Sequence, residues 1–376
     1  MRWIALLVAL WWLGSAEAAE PPYKIGMARR EVVPNGPYSW RQDPKHSLAT
    51  LIWYPAEPSA QEKPWLIGPP DRPFLDGGRV ARDAALAPAP GKFPLILLSH
   101  GTGGTTGNMA WLGEALAAHG YIAAAVNHPG NNFIDGYTVP GFTLWWLRAR
   151  DLSAVLDGLF ADPTFGPRID KARIGAAGHS LGGYTALVIA GAITSLDRLA
   201  ELCKGDPCGP PIFPDIRAKA EALLRSDPAY RAAQAESNRS YRDPRVRAVF
   251  VMATALGPVL LPDSLAHIDI PVALVAGIGD EIVPASSIKA LAAAIPHAQL
   301  TMLPPPMGHN VFIGVCLAAA HADFPRVCDD PPGVDRAAVE AKTADMALGS
   351  SPAAYAELRR PAWRRAACRS RRARES

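Results

Sequence analysis

The chain has 376 residues, 49% of them hydrophobic and 19% charged, with a formal net charge of +3. That is enough apolar side chain to bury a large core, and it excludes a wholly disordered chain. The charge is uneven: residues 357–376 hold eight arginines and two glutamates, +6, which leaves 3 − 6 = −3 for the rest.

Met1-Arg2, the apolar run 3–14 and the small-residue segment Ser15-Ala16-Glu17-Ala18-Ala19 have the three parts of a secretory signal peptide. Its apolar run is too short to span a bilayer. Residues 1–19 are therefore expected to be removed, leaving an exported chain, periplasmic or secreted, without a transmembrane segment. Residues 47–54 read as an early strand, and the Pro- and Gly-rich stretch 55–92 as loop. Residues 93–99 are almost wholly apolar, as expected of a strand buried on both faces. After them comes the Gly-rich run Ser99-His100-Gly101-Thr102-Gly103-Gly104, which lacks the Lys and Ser/Thr ending of a phosphate-binding loop.

Residues 107–119 predict a helix, 121–127 a strand and 147–160 a helix. Between the last two lie Asn127-His128-Pro129-Gly130-Asn131, at a strand's end and of open role, and the aromatics Phe142, Trp145 and Trp146. Trp145, Trp146 and His100 are candidate substrate-binding residues. Residues 172–178 predict a strand that runs into Gly178-His179-Ser180-Leu181-Gly182, and 183–193 a small-residue helix. The charged stretch 195–243 interrupts this alternation and reads as a cap-like helical insertion. Strands at 246–253, 271–277 and 299–303 follow, with a helix at 285–295. Alternating strands and helices of this kind give an α/β fold with a mostly parallel central sheet and helices on both faces. One domain, 20–345, is expected, then a basic, poorly ordered tail, 346–376. A solvated tail without apolar periodicity implies no nucleic-acid partner.

A nucleophile elbow needs a tight strand-to-helix turn with small residues two positions either side of the serine. Gly178 and Gly182 supply them, so Ser180 is the candidate nucleophile. A serine needs a histidine base, and that base needs a carboxylate to set its tautomer. Asp280 follows an apolar strand at its carboxyl end, with Glu281 and Asp263 as rivals. His309 follows the last strand in Pro306-Met307-Gly308-His309-Asn310, with His321 as rival. His179 reads as packed within the elbow. The oxyanion of an acyl-transfer intermediate needs backbone donors. Leu181 is the first candidate and Thr102 the second, with Gly101 as the rival to Thr102. Export makes disulfides the default for the five cysteines, and local bridges Cys203–Cys208 and Cys316–Cys328 are expected, leaving Cys368 over. The spacings match no zinc site, and no metal is expected.

With these residues placed, the chain resembles the α/β-hydrolase superfamily, and within it exported bacterial dienelactone-hydrolase-like proteins related to the platelet-activating factor acetylhydrolase family. The resemblance covers about residues 25–340. It rests on Ile52-Trp53-Tyr54-Pro55-Ala56, Leu98-Ser99-His100-Gly101, the elbow, and Tyr241-Arg242-Asp243-Pro244-Arg245. It rests too on Gly279-Asp280-Glu281-Ile282-Val283-Pro284, and on Gly308-His309 followed by Phe312 and Cys316. It implies a cofactor-free serine esterase or lipase-like enzyme acting on a small-molecule or lipid ester of short or medium acyl chain. An amidase on the same site and a binding protein that keeps the scaffold are the alternatives. Dienelactone hydrolases proper use a cysteine nucleophile, so their lactone substrate does not carry over. The end beyond 345 also lacks the aromatic helix that closes the fold in that family.

Overall fold

The computed structural model describes residues 23–34, 47–89, 91–204 and 213–349. The expected signal peptide at 1–19, the residues beyond 349, Cys208 and Cys368 lie outside the described residues.

Ten strands form one sheet: β1 (Lys24–Val32), β2 (Leu48–Ala56), β3 (Lys63–Ile67), β4 (Leu75–Arg82), β5 (Phe93–Ser99), β6 (Ile122–Val126), β9 (Ile169–His179), β10 (Val246–Met252), β11 (Val272–Gly277) and β12 (Gln299–Leu303). The short pair β7 (Asn131–Asn132) and β8 (Gly136–Tyr137) makes a separate hairpin. The order across the large sheet is β12-β11-β10-β9-β5-β6-β2-β1-β4-β3. From β12 to β6 all neighbours are parallel, and β2 pairs antiparallel with both β6 and β1. Strands β5 and β6 are buried along their whole length because helices cover both faces. In β5, Leu95 and Leu97 enter one core while Ile96 and Leu98 enter the other.

The helices are α1 (Ala110–Ala118), α2 (Val139–Thr143), α3 (Arg148–Ala161), α4 (Leu181–Ala190), α5 (Leu196–Leu202), α6 (Ile216–Ser226), α7 (Pro228–Ala235), α8 (Pro262–Ala266), α9 (Ala285–Ala294), α10 (Ala318–Asp323), α11 (Pro325–Cys328) and α12 (Arg336–Leu348). Residues of α3, α4 and α9 build the core on one face, and those of α1 and α12 the core on the other. No helix among the described residues is long and apolar enough to cross a membrane.

Two expectations need correction. The stretch 55–92 is not all loop, since it contains β3 and β4, and β1 precedes the first strand expected. These strands lie at one end of the sheet, with β3 at its edge, and include exposed positions, so they lack the apolar run that marks a central strand. The domain also continues past 345. Helix α12 starts on Asp335, whose carboxylate caps the Ala338 N–H, and ends at Gly349 in the left-handed region, φ 86°. It packs on α1 through Val339, Ala344, Ala347 and Leu348, so small residues fill the place where an aromatic helix was expected.

Candidate active site

Ser180 sits between the end of β9 and the start of α4 with φ 55° and ψ −119°, a conformation that costs a non-glycine residue about 1–3 kcal/mol. The surrounding backbone holds it there. The Ser180 N–H donates to the Met252 carbonyl at 2.8 Å, and the Ser180 carbonyl accepts from the N–H groups of Gly183 and Ala255. A Cβ on Gly182 would lie 1.8 Å from the Ser99 carbonyl oxygen, and one on Gly178 2.2 Å from that of Gly182. The small residues of the motif thus allow backbone to pack directly on backbone.

The acid and base loops are joined in the same way. Gly279 N–H donates to the Met307 carbonyl at 3.0 Å, and a Cβ on Gly277 would lie 2.0 Å from that oxygen. This seam brings Asp280 to His309, with Nδ1 2.8 Å from Oδ2. The carboxylate accepts, so Nδ1 carries the proton and Nε2 is left as an acceptor. Asp280 Oδ1 is held by the N–H groups of Ile282 at 2.9 Å and Val283 at 2.7 Å. The rivals are elsewhere: Glu281 and Asp263 are exposed, and His321 pairs with Asp329 on the surface.

His179 links the elbow to the base. Its Nε2 donates to the His309 carbonyl at 2.9 Å, and the two rings lie 4.8 Å apart. Burial, and then the neighbouring His309, hold His179 well below the usual histidine range, so it stays neutral. Ser180, Asp280 and His309 are 7%, 6% and 7% exposed, a nearly dry site with one open side.

The Gly-rich loop lies against this elbow: a Cβ on Gly101 would be 3.3 Å from the Ser180 Cβ. The N–H groups of Thr102 and of Leu181, the first residue of α4, take no protein partner among the described residues. Both residues border a cleft of about 740 Å³ whose walls include Trp145, Leu199, Ile216 and Tyr230. The insertion 195–243 therefore supplies much of the cleft wall.

Two candidates for substrate contact are placed differently. His100 is fully buried, with Nδ1 2.7 Å from the Gly101 carbonyl and Nε2 accepting from the His128 N–H at 3.2 Å. Trp146 is also fully buried and donates to the Ala233 carbonyl, packing the insertion against the segment just before α3, while its neighbour Trp145 faces the cleft. Adjacent residues on a tight turn point in different directions, and sequence alone did not separate them. The segment of open role acquires one: Asn127 Oδ1 accepts from Thr106 N–H at 2.8 Å and Asn131 Oδ1 from Gly103 N–H at 2.9 Å. Asn at both ends of a Pro-Gly turn after a strand was the available signal. Cys316 and Cys328 form the expected disulfide, with Cα atoms 5.6 Å apart. Cys203 is also disulfide-bonded. No group of three or more metal-ligating side chains occurs among the described residues.

The sheet, the turn at Ser180 and the Asp280 and His309 loops at the carboxyl ends of the strands have the arrangement of the α/β-hydrolase fold. Within that class, residues 78–140 match the family described as platelet-activating factor acetylhydrolase, isoform II. The chain is similar to cutinase est1 of Thermobifida alba, 36% identical over 97 residues, which are 25% of this chain and 29% of that one. It is similar to lipase 1 of Moraxella sp. (strain TA144), 39% identical over 83 residues, 22% of this chain and 23% of that one. The matches thus span less than a third of these curated relatives. A ferulic acid esterase from Streptomyces cinnamoneus shares the fold with a TM-score of 0.56 at 22% identity, over 93% of this chain and 96% of that one.

Proposed function

We propose that the chain hydrolyses carboxylic esters through an acyl-enzyme on Ser180. The observation that carries this reading is the buried Asp280–His309 pair, 2.8 Å apart, with the His309 carbonyl tied to His179, the residue before a serine held in the left-handed region at a helix start. His309 Nε2 takes the Ser180 proton as Oγ attacks the ester carbonyl, then returns it to the leaving alcohol. Asp280 keeps the proton on Nδ1 and stabilises the imidazolium. The Leu181 and Thr102 N–H groups bind the oxyanion, with the positive end of α4 behind Leu181. Water, activated by His309, then releases the acid.

The names of the relatives, two cutter-of-ester activities and a ferulic acid esterase, support an ester over an amide substrate. The cleft supports an apolar acyl chain of short to medium length lying against Trp145 and Leu199. Export is part of the same reading, supported by residues 1–19 and by the Cys316–Cys328 disulfide.

The test is turnover of p-nitrophenyl acetate, butyrate and octanoate, with fluorophosphonate labelling of the folded protein. Ser180→Ala is expected to abolish both. Equal turnover by wild type and Ser180→Ala refutes the mechanism.

A further inference from the structure

Beneath the Gly-rich loop runs a buried polar chain that the acyl-transfer steps do not use. Arg148, at the start of α3, donates through Nη2 to Ser99 Oγ at 3.3 Å and to the His100 carbonyl. Ser99 Oγ lies 2.9 Å from His128 Nε2, and His128 Nδ1 lies 2.8 Å from Asp151 Oδ2. The proton positions follow from the ends. Asp151 accepts from Nδ1–H, so Nε2 accepts the Ser99 hydroxyl proton, and the Ser99 oxygen accepts from Arg148. A cation and an anion are thus joined through two further side chains.

The order serine, histidine, aspartate repeats that of the proposed catalytic centre. No substrate reaches it, because Ser99 is 0% and His128 1% exposed. Such a chain is an expensive way to fill space. A buried ion pair is often no more stabilising than apolar side chains of the same volume, and the Arg148 Nε and Nη1 atoms have no hydrogen-bond partner among the described residues. Two of its contacts meet at one residue of the loop, His100. Arg148 grips the His100 carbonyl, and the His128 N–H grips the His100 ring. That ring in turn donates to the Gly101 carbonyl at 2.7 Å. The Gly101 carbonyl and the Thr102 N–H belong to one planar peptide and point in opposite directions. Whatever fixes the first aims the second.

We propose that Arg148, Ser99, His128 and Asp151, acting through His100, are positioning residues that aim the Thr102 N–H at the oxyanion. The inference rests on the reading of Thr102 as an oxyanion donor. A loop left to itself would sample several peptide orientations, and a donor misdirected by a fraction of its hydrogen-bond angle loses most of its effect on the transition state.

The experiment compares the full chain with Arg148→Met, Arg148→Lys and Ser99→Ala, first verified as folded by circular dichroism. It measures kcat and KM on p-nitrophenyl butyrate and Ki for an alkyl trifluoromethyl ketone, whose adduct on serine carries the oxyanion. Loss of one oxyanion donor costs about 10²–10³ in kcat, and misdirecting one should cost less. Arg148→Met is expected to lower kcat roughly 10- to 100-fold with KM within about twofold, and to raise Ki by a similar factor. Arg148→Lys should recover part of both. Ser99→Ala removes a single hydroxyl, so it keeps the test open where Arg148→Met does not fold; it should follow the same trend, about fivefold or more. If wild type turns over ester, Ser180→Ala does not, and the folded relay variants keep wild-type kcat and Ki, this inference falls and the hydrolase reading stands. A wild type that turns over no ester removes both.

Discussion

Asp280→Asn tests the site through a single atom. Oδ1 accepts from the N–H groups of Ile282 and Val283, and Oδ2 accepts from His309 Nδ1. An asparagine at this position has one oxygen for these two places. Turned so that its amino group meets the two backbone N–H groups, it would leave both donors without an acceptor, the buried Val283 N–H at a cost of about 1–3 kcal/mol. The oxygen therefore stays at the backbone and the amino group faces His309. Nδ1 must then accept, the ring proton moves to Nε2, and the base is protonated on the side that should receive the Ser180 proton. Triads with this change lose about 10⁴ in kcat, equivalent to roughly 5.5 kcal/mol at the transition state. The assay is steady-state hydrolysis of p-nitrophenyl butyrate, with thermal unfolding to show that the fold is kept. A folded variant within about tenfold of wild type would refute the assigned tautomer and the role of Asp280.

Three further outcomes are expected. Gly182→Ala should destabilise the chain by about 3 kcal/mol or more, read as a fall in the unfolding midpoint, because its Cβ meets the Ser99 carbonyl at 1.8 Å and backbone cannot move aside cheaply. Leu199→Trp should fill part of the cleft and displace about two substrate methylenes, at ~0.8 kcal/mol each. Octanoate kcat/KM should then fall roughly tenfold while acetate changes less than twofold. Glu340, on α12, is pushed up to about 8 by burial, opposed by the Gly314 N–H that it accepts at 2.6 Å. The native state therefore keeps a proton that the unfolded chain loses above its ordinary value of 4.5, so stability falls as pH rises from about 4.5 to about 8. Denaturant titrations should show Glu340→Gln removing a slope of up to ~1.4 kcal/mol per pH unit in that window. An unchanged slope would place the proton elsewhere.

The central strands, the elbow and the order of Ser180, Asp280 and His309 were legible in the sequence because each depends on local chemistry. A strand buried on both faces is an apolar run, and a strained turn needs glycine two residues to either side. Strands β1, β3 and β4, at one end of the sheet, were not legible, since their exposed positions and scattered Gly and Pro give the same pattern as loop. Helix α12 was not predicted, for a related reason: its buried apolar face is mostly alanine with Val339 and Leu348, which carry little signal until α1 is known to lie against them.

The sequence by itself determined which residue types carry the proposed chemistry and in what order the chain presents them. Only the tertiary structure decided their directions. It turned Trp145 to the cleft and Trp146 to the core, and it took His100 from the substrate side to the underside of the loop. It also joined Arg148, Ser99, His128 and Asp151, which three separate segments of chain bring to one point. The reason is physical. A turn or a strand is set by neighbours a few residues apart, whereas the aim of a side chain is set by whatever distant backbone and charge pack against it.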